Sequence, residues 1–296
     1  MDAPPKSDVP QGRAPIQLCW VCGAPTQAAP DFLSVRLNRC PDCGFLFQPE
    51  LPVEELRSSH DEDYFDHYVA GGDYDSQGDQ RRHEARIRLR WMRGHGCSGG
   101  PLLEVGVARG DFLAEARRAG FAPVGIEPEP GSAAEARSRS GADVLVGWVE
   151  DLELPPESFD VVCLWHVIEH IPQPRLVLEA LHRSLKPGGR LFCEVPNADS
   201  VMARTQGNQW AYLDPEHHVG FFDPGTLRRA LEATGYDRVE TDTIPMFRYA
   251  QSSASVLLKQ LPRRLAFSLR SRVHPRAAHP WKQDLLRAVA VKPTPA

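Results

Sequence analysis

Between Pro101 and Pro196, short apolar runs alternate with amphipathic stretches, and this alternation limits the fold more than any other feature of the chain. PLLEVG, APVGIE, ADVLVG, SFDVVCLW and RLFCEVP read as strands. GDFLAEARRAG, PGSAAEARSRSG and PRLVLEALHRSLKPGG, lying among them, read as helices, the first ending at Gly120 and the last at a Pro-Gly-Gly stop. Runs as continuously apolar as SFDVVCLW are buried on both faces of a sheet, and regular β/α order supplies the crossovers of a parallel, doubly wound α/β sheet. Upstream, RRHEARIRLRWM reads as a helix. Downstream, DPGTLRRALEATGY reads as another, followed by DRVETDT and MFRYAQSS as a terminal antiparallel pair.

A chain of 296 residues has room for one large domain, or a medium one with attachments. Hydrophobic content of 42% and charged content of 25% are those of an ordinary globular protein. A net charge of −5 argues against the whole chain binding nucleic acid, and there is no run of 18 apolar residues to span a membrane. The polar, Pro-rich start lacks the apolar centre of a signal peptide, so a cytoplasmic location is expected.

The first strand runs into EVGVARGDF, a turn at the switch point where such sheets bind ligands. A dinucleotide loop would read G-x-G-x-x-G; here Gly106 and Gly110 stand four apart with Ala108 between them. A ligand without phosphate needs close backbone approach more than anion capture, and S-adenosylmethionine (SAM) is such a ligand. Glu127 closes the second strand, 21 residues after Gly106, where a carboxylate can take both ribose hydroxyls.

Two knuckles, Cys19-x-x-Cys22 and Cys40-x-x-Cys43, lie with seventeen residues between them. Each aims two thiolates at one point, and together they build the tetrahedral S4 site of a zinc ribbon, closed and therefore structural. Gly23 and Gly44 follow the knuckles and help close each turn. Iron in a rubredoxin-like site uses similar knuckles, and a disulfide pair is the plainer alternative. A segment this short depends on its metal to fold.

LLEVGVARGDFL, VGIEP, VEDLELPPESFDVVCLWHVIEHIPQP and LKPGGRLFCEVPN, in this order, resemble the successive motifs of the class I SAM-dependent methyltransferases. The wider layout, with an N-terminal zinc-binding knuckle domain, a Tyr-rich linker and a late W…H…F…TL segment, resembles a bacterial subgroup acting on sugars, glycolipids or natural products. The resemblance implies a Rossmann-like, mostly parallel seven-stranded sheet with SAM as cofactor and Zn2+ as a structural metal. It places Glu104, Gly106, Ala108, Gly110, Glu127, Pro128, Val149, Glu150, Asp151 and Trp165 around the cofactor. Two positions depart from the pattern: Ala108 replaces the usual middle glycine, and Trp148 stands where many relatives carry an adenine-contacting Asp. Glu104 either orients the loop or the sulfonium, or bonds backbone amides, and Asp111 is expected to cap the helix after the loop.

WHVIEHIP ends the fourth strand, where the resemblance places the transferred methyl. His166, Glu169 and His170 share a face if it turns helical. They match part of the metal-binding E-x-x-E-H of small-RNA end methyltransferases, with His166 in place of the first Glu; a polar structural or substrate-facing role is the alternative. In WAYLDPEHHVGFFDP, Trp210, Tyr212 and Phe222 are candidate substrate contacts. His218, in register with the family's recurrent histidine, is the first candidate general base; His217 follows, with His166 and His170 in reserve. Either histidine of the pair serves as base or fixes the loop by hydrogen bonds.

The expected layout is a disordered tail over 1–15, a zinc ribbon over 16–50, a linker with helical cover over 51–90, the methyltransferase domain over 91–250 and a basic extension over 251–296. That extension holds nine Lys/Arg against one acid. It reads as a segment for an anionic membrane surface, or as a solvated helix packed on the core. The favoured function is methyl transfer to a small-molecule, sugar or lipid-linked acceptor, at a hydroxyl. Competing readings are an RNA methyltransferase using the ribbon and a SAM-binding module without catalysis. Residues 1–60 hold five Lys/Arg and seven Asp/Glu, which weighs against RNA as partner. The sequence leaves the oligomeric state open.

Overall fold

The computed structural model describes residues 17–29, 36–49, 57, 78–207, 210, 212–214, 217–245 and 283–295. The expected tail, nearly all of the linker up to 77, the MFRYAQSS run and the basic stretch up to 282 lie outside the described residues.

A seven-stranded sheet forms the centre. In chain order its strands are β4 (Gly100–Val105), β5 (Phe121–Glu127), β6 (Asp143–Val146), β7 (Phe159–Trp165), β8 (Leu185–Pro196), β10 (Asp237–Ile244) and β11 (Leu285–Val291), and across the sheet they run β10-β11-β8-β7-β4-β5-β6. The pairs among β4 to β8 are parallel, and β11 is antiparallel to both its neighbours. This is the Rossmann-like fold expected, with one correction. The antiparallel partner of β10 is Leu285–Val291, inside the expected extension, and it inserts between β10 and β8. All seven of its residues are buried. The fourth helix also stops earlier than expected: LKPGG already belongs to β8.

Around the sheet lie α1 (Gly78–Gly94), α2 (Asp111–Arg118), α3 (Pro130–Ser140), α4 (Pro174–Ser184), α5 (Val201–Gln206) and α6 (Pro224–Ala233). Their starts follow from local chemistry. Glu129 accepts from the amides of Gly131 and Ser132 at the head of α3. Asp223 and Thr226 form a capping box on α6. Asp111 does not cap α2, whose N-cap is Gly110; its carboxylate instead ties α1 and α3 together through Arg81 at 2.9 Å and Arg139 at 3.1 Å.

One buried charge cluster locks the sheet to α1. Glu194 on β8 is fully buried and accepts from Arg88 of α1 and Arg287 of β11, each at 2.7 Å. Burial alone would raise its carboxyl, yet Arg88, His166 and Arg287 hold it well below the usual carboxylate range.

The N-terminal segment forms β1 (Gln27–Ala28), β2 (Asn38–Arg39) and β3 (Leu46–Phe47), and β9 (Gly220–Phe221) joins β3 as a fourth strand. The ribbon is thus sewn into the loop that precedes α6. No helix among the described residues is long and apolar enough to cross a membrane.

Candidate active site

The carboxyl ends of β4, β5 and β7 meet at the loop after β4. Gly106 has φ +70°, and a Cβ there would lie 2.6 Å from Val167 Cγ2, so the loop presses against the segment that follows β7. Gly110, at φ +81°, serves a different contact: a Cβ would meet Ala136 Cα of α3 at 2.8 Å. Its role is helix packing. Ala108 also has a positive φ, +48°, so the missing glycine is felt as backbone strain as well as an added methyl.

Glu127 ends β5 buried. Its Oε2 accepts from the Ala108 amide at 2.8 Å and its Oε1 from the Glu129 amide at 3.3 Å. Burial pushes its carboxyl up to about 7, against those two amides. Glu104, deeper on β4, is pushed well above the usual range by burial, and its Oε2 has no hydrogen-bond partner among the described residues. Past β6, Val149–Asp151 form one 3-10 turn. Val149 is buried, Glu150 is exposed, and Asp151 pairs with Arg57 at 2.9 Å, whose guanidinium lies 5.4 Å from the Trp148 ring centre. Pro128 is half-buried beside Glu127. Trp165 differs from expectation. Its side chain is core, with Phe112 at 5.2 Å and Trp91 at 6.3 Å between ring centres, so the strand end offers only its backbone.

Beyond β7 the chain makes a single 3-10 turn, Ile168–His170. His166 starts the departure from the strand with φ +57°. Its Nδ1 lies 3.4 Å from Glu169 Oε1 and its Nε2 3.4 Å from Glu194 Oε1. Burial would lower this imidazole, but the two carboxylates push it up to about 9, so it is a cation and not a base at neutral pH. The Glu169 side chain is buried, and neither of its oxygens has a hydrogen-bond partner among the described residues.

The histidine pair arrives from the loop before β9. Val219 donates to the Glu169 carbonyl at 2.8 Å, which seats this loop on the turn after β7. His217 and His218 are both buried and hold different company. Asp214 Oδ2 takes His217 Nδ1 at 2.8 Å. His218 Nδ1 faces the Tyr212 carbonyl at 2.8 Å, and its ring meets His170 edge-on with centres 4.7 Å apart. His170 Nδ1 faces the His217 carbonyl at 3.1 Å. The grouping differs from the one expected: Glu169, His170 and His218 bring ligand atoms within 4.8 Å of one another, with His166 outside the group.

Two of the three aromatic candidates prove structural. Trp210 packs with Leu37, Leu46, Ala203 and Phe221, and Phe222 lies 4.9 Å from Phe45 between ring centres. Both cement the loop to the ribbon. Tyr212 alone lies along the histidines, its ring roughly parallel to that of His166 at 6.3 Å. Asp214, three residues before His217, was legible as an i, i+3 partner; Gln48 was not. Its side chain donates to the His218 carbonyl at 2.8 Å, and its amide to Val219 at 2.9 Å.

All four knuckle cysteines are free thiols with sulfurs within 4.8 Å of one another. Cys19 and Cys43 are 3.5 Å apart, Cys22 and Cys40 3.4 Å. Tetrahedral Zn–S bonds of about 2.3 Å put sulfurs about 3.8 Å apart, so the cage fits such an ion. The amides of Val21 and Cys43 point at knuckle sulfurs at 3.4 Å, and Gly23 and Gly44 have φ of +76° and +83°, as the turns require.

Residues 79–241, more than half of the chain, match the profile of a family described as a methyltransferase domain. Ubiquinone biosynthesis O-methyltransferase of Idiomarina loihiensis is 29% identical over 168 residues, covering 52% of this chain and 69% of that one. A Mycolicibacterium smegmatis protein named "Probable S-adenosylmethionine-dependent methyltransferase" is 29% identical over 222 residues, 71% of this chain and 77% of that one. Phosphoethanolamine N-methyltransferase 2 of Haemonchus contortus, solved with S-adenosyl-L-methionine, has a TM-score of 0.55 at 18% identity, over 84% of this chain and 62% of that one. At that identity the likeness is one of fold.

Proposed function

This chain belongs to the methyltransferase-domain family and is a SAM-dependent methyltransferase; from that premise we propose that it methylates a hydroxyl of a small-molecule acceptor, sugar and glycolipid hydroxyls included. The cofactor, when bound, supplies a methyl group on a positively charged sulfur. The loop fits it. Gly106 lets the loop pack against Val167, Glu127 ends its strand with a carboxylate held by the Ala108 amide at 2.8 Å and the Glu129 amide at 3.3 Å, and Glu104 has a buried oxygen with no hydrogen-bond partner among the described residues. In this reading Glu127 accepts from the ribose hydroxyls, Glu104 faces the positive charge, and the Val149–Asp151 turn with Trp148 borders the adenine.

The observation that carries the acceptor assignment is the Asp214–His217 pair. A carboxylate on Nδ1 fixes the proton there and leaves Nε2 as the basic nitrogen, the arrangement a general base for a hydroxyl needs. His217 replaces His218 as first choice because it is the one with the carboxylate. In-line attack requires the hydroxyl to lose its proton as the oxygen meets the methyl carbon, and His217 Nε2 receives that proton. The relative from Idiomarina loihiensis, an O-methyltransferase by name, points the same way.

The four cysteines hold one structural zinc in this reading, kept reduced by a cytoplasmic setting. The ribbon's β3 then fixes the backbone of the histidine loop. The experiment is a turnover assay on hydroxyl-bearing acceptors with His217→Ala. The variant should slow methyl transfer by about 10²–10⁴-fold, the usual worth of a general base, and bind SAM as tightly as the parent. Unchanged turnover in the folded variant would remove His217 from the mechanism.

A further inference from the structure

We propose that Glu169, His170 and His218 form a second metal site, for a divalent first-row transition cation, at the mouth of the cofactor loop. Three observations carry it. The ligand atoms lie within 4.8 Å of one another, although His218 comes from a different loop. Cation bonds of about 2.1 Å put donors about 3.0–3.4 Å apart, so closure takes side-chain movement of about 1 Å.

The second observation is the state of Glu169. Its side chain is 2% exposed, and neither oxygen has a hydrogen-bond partner among the described residues. His166 is near, at 3.4 Å from Oε1, without hydrogen-bond geometry. The His166 imidazolium is its charged neighbour, but with both oxygens accepting no hydrogen bond the buried carboxylate keeps open lone pairs that a metal cation would take.

The third observation is the orientation of the two rings. Nδ1 of His170 faces the His217 carbonyl, and Nδ1 of His218 faces the Tyr212 carbonyl. A carbonyl only accepts, so each Nδ1 carries the proton and each Nε2 carries the lone pair. Metal-binding histidines are fixed in this way, by a backbone carbonyl on the remote nitrogen. Two imidazoles and one carboxylate suit zinc, cobalt, manganese or iron; magnesium and calcium prefer all-oxygen sets.

The function of this site rests on the hydroxyl-acceptor reading. Three protein ligands leave coordination positions for the acceptor oxygen. Bound there, the hydroxyl gives its proton to His217. An oxygen lone pair then forms the O–CH3 bond, the S–CH3 bond breaks, and its electron pair returns to sulfur, leaving a neutral thioether. The location agrees: Val167, two residues before Glu169, is the side chain pressed against Gly106.

The test uses the full chain with zinc already in the cysteine site. Co2+ is added by equilibrium dialysis and followed by its visible spectrum and by elemental analysis. One Co2+ per chain should bind beside the retained zinc, showing d–d bands without thiolate charge transfer. Glu169→Gln and His218→Asn should each weaken it by about 100-fold and leave the zinc in place. SAM titration by calorimetry shows that each variant is folded, and His170→Asn serves if one is not. Cobalt bound only with thiolate charge transfer, or bound equally by the folded variants, would overturn the site. Hydroxyl methylation at full rate after the second cation is removed would overturn its role. Cobalt bound as expected by a protein that methylates no hydroxyl would uphold the site and end the hydroxyl-acceptor reading alone.

Discussion

In the proposed reading Glu127 is the residue on which cofactor affinity turns, and burial makes that affinity pH-dependent. Its carboxyl titrates at about 7 in the ligand-free protein, against an ordinary 4.5. The folded chain therefore holds this proton longer than the unfolded one. The group's contribution to stability falls as pH rises from about 4.5 to about 7, by at most about 1.4 kcal/mol per unit. A ribose donates its hydroxyls to the ionised form, so SAM affinity should rise over the approach to pH 7 and level off above it. Calorimetry at several pH values checks this, and a flat profile would count against the ribose assignment. Glu127→Ala should weaken SAM by roughly 1.5–3 kcal/mol, the worth of a hydrogen bond to a charged group. Ala108 gives a separate prediction. Its φ of +48° suits glycine, so Ala108→Gly should stabilise the ligand-free protein by about 1 kcal/mol, read as a higher Tm. At this scale the strand-end acid was legible because its position follows from the β/α period. The roles of Asp111, Trp165, Trp210 and Phe222 were not. A carboxylate at a helix start and an aromatic near a site read alike whether they face ligand or core, and tertiary packing decides.

At the scale of elements, the ribbon and the histidine loop form one unit. β3 pairs with β9 at Leu46–Phe221 and Phe47–Gly220, and Gln48 reaches the His218 carbonyl. Arg229 of α6 donates to the Cys43 carbonyl at 2.7 Å, closing the unit from the other side. If the four cysteines hold the proposed zinc, losing it should therefore be felt at the candidate active site. Cys40→Ser should free the backbone amides of 217–221 in hydrogen exchange and slow methyl transfer, with SAM affinity close to that of the parent. Normal exchange protection there would mean that the loop stands without the ribbon. The knuckles were plain in the sequence because four thiols at fixed spacing have few other uses. Their connection to the loop was hidden, since the two-residue strand β9, which pairs Gly220 with Phe47, has no pattern of its own.

For the molecule as a whole, the five parallel strands and the helices between them followed from the alternation of apolar and amphipathic runs, while the last strand did not. LLRAVAV lies about forty residues beyond β10, after a basic stretch, and the nearer MFRYAQSS looked the simpler partner. Its arginine, an unlikely residue for a central strand, makes sense only once Glu194 stands opposite: Arg287 pairs with it across β11 and β8. Removing residues 285–295 should consequently abolish folding, seen as lost cooperative unfolding, where removal of a surface attachment would leave the transition intact. In the proposed reaction the methyl passes from SAM to an acceptor oxygen, with His217 taking the proton. The most direct measurement is mass spectrometry and NMR of the product made from methyl-labelled SAM and hydroxyl-bearing small molecules, by the parent and by His217→Ala. Label is expected on oxygen, formed at least about 100-fold more slowly by the variant. Label on nitrogen or carbon, or equal rates from the two proteins, would contradict it.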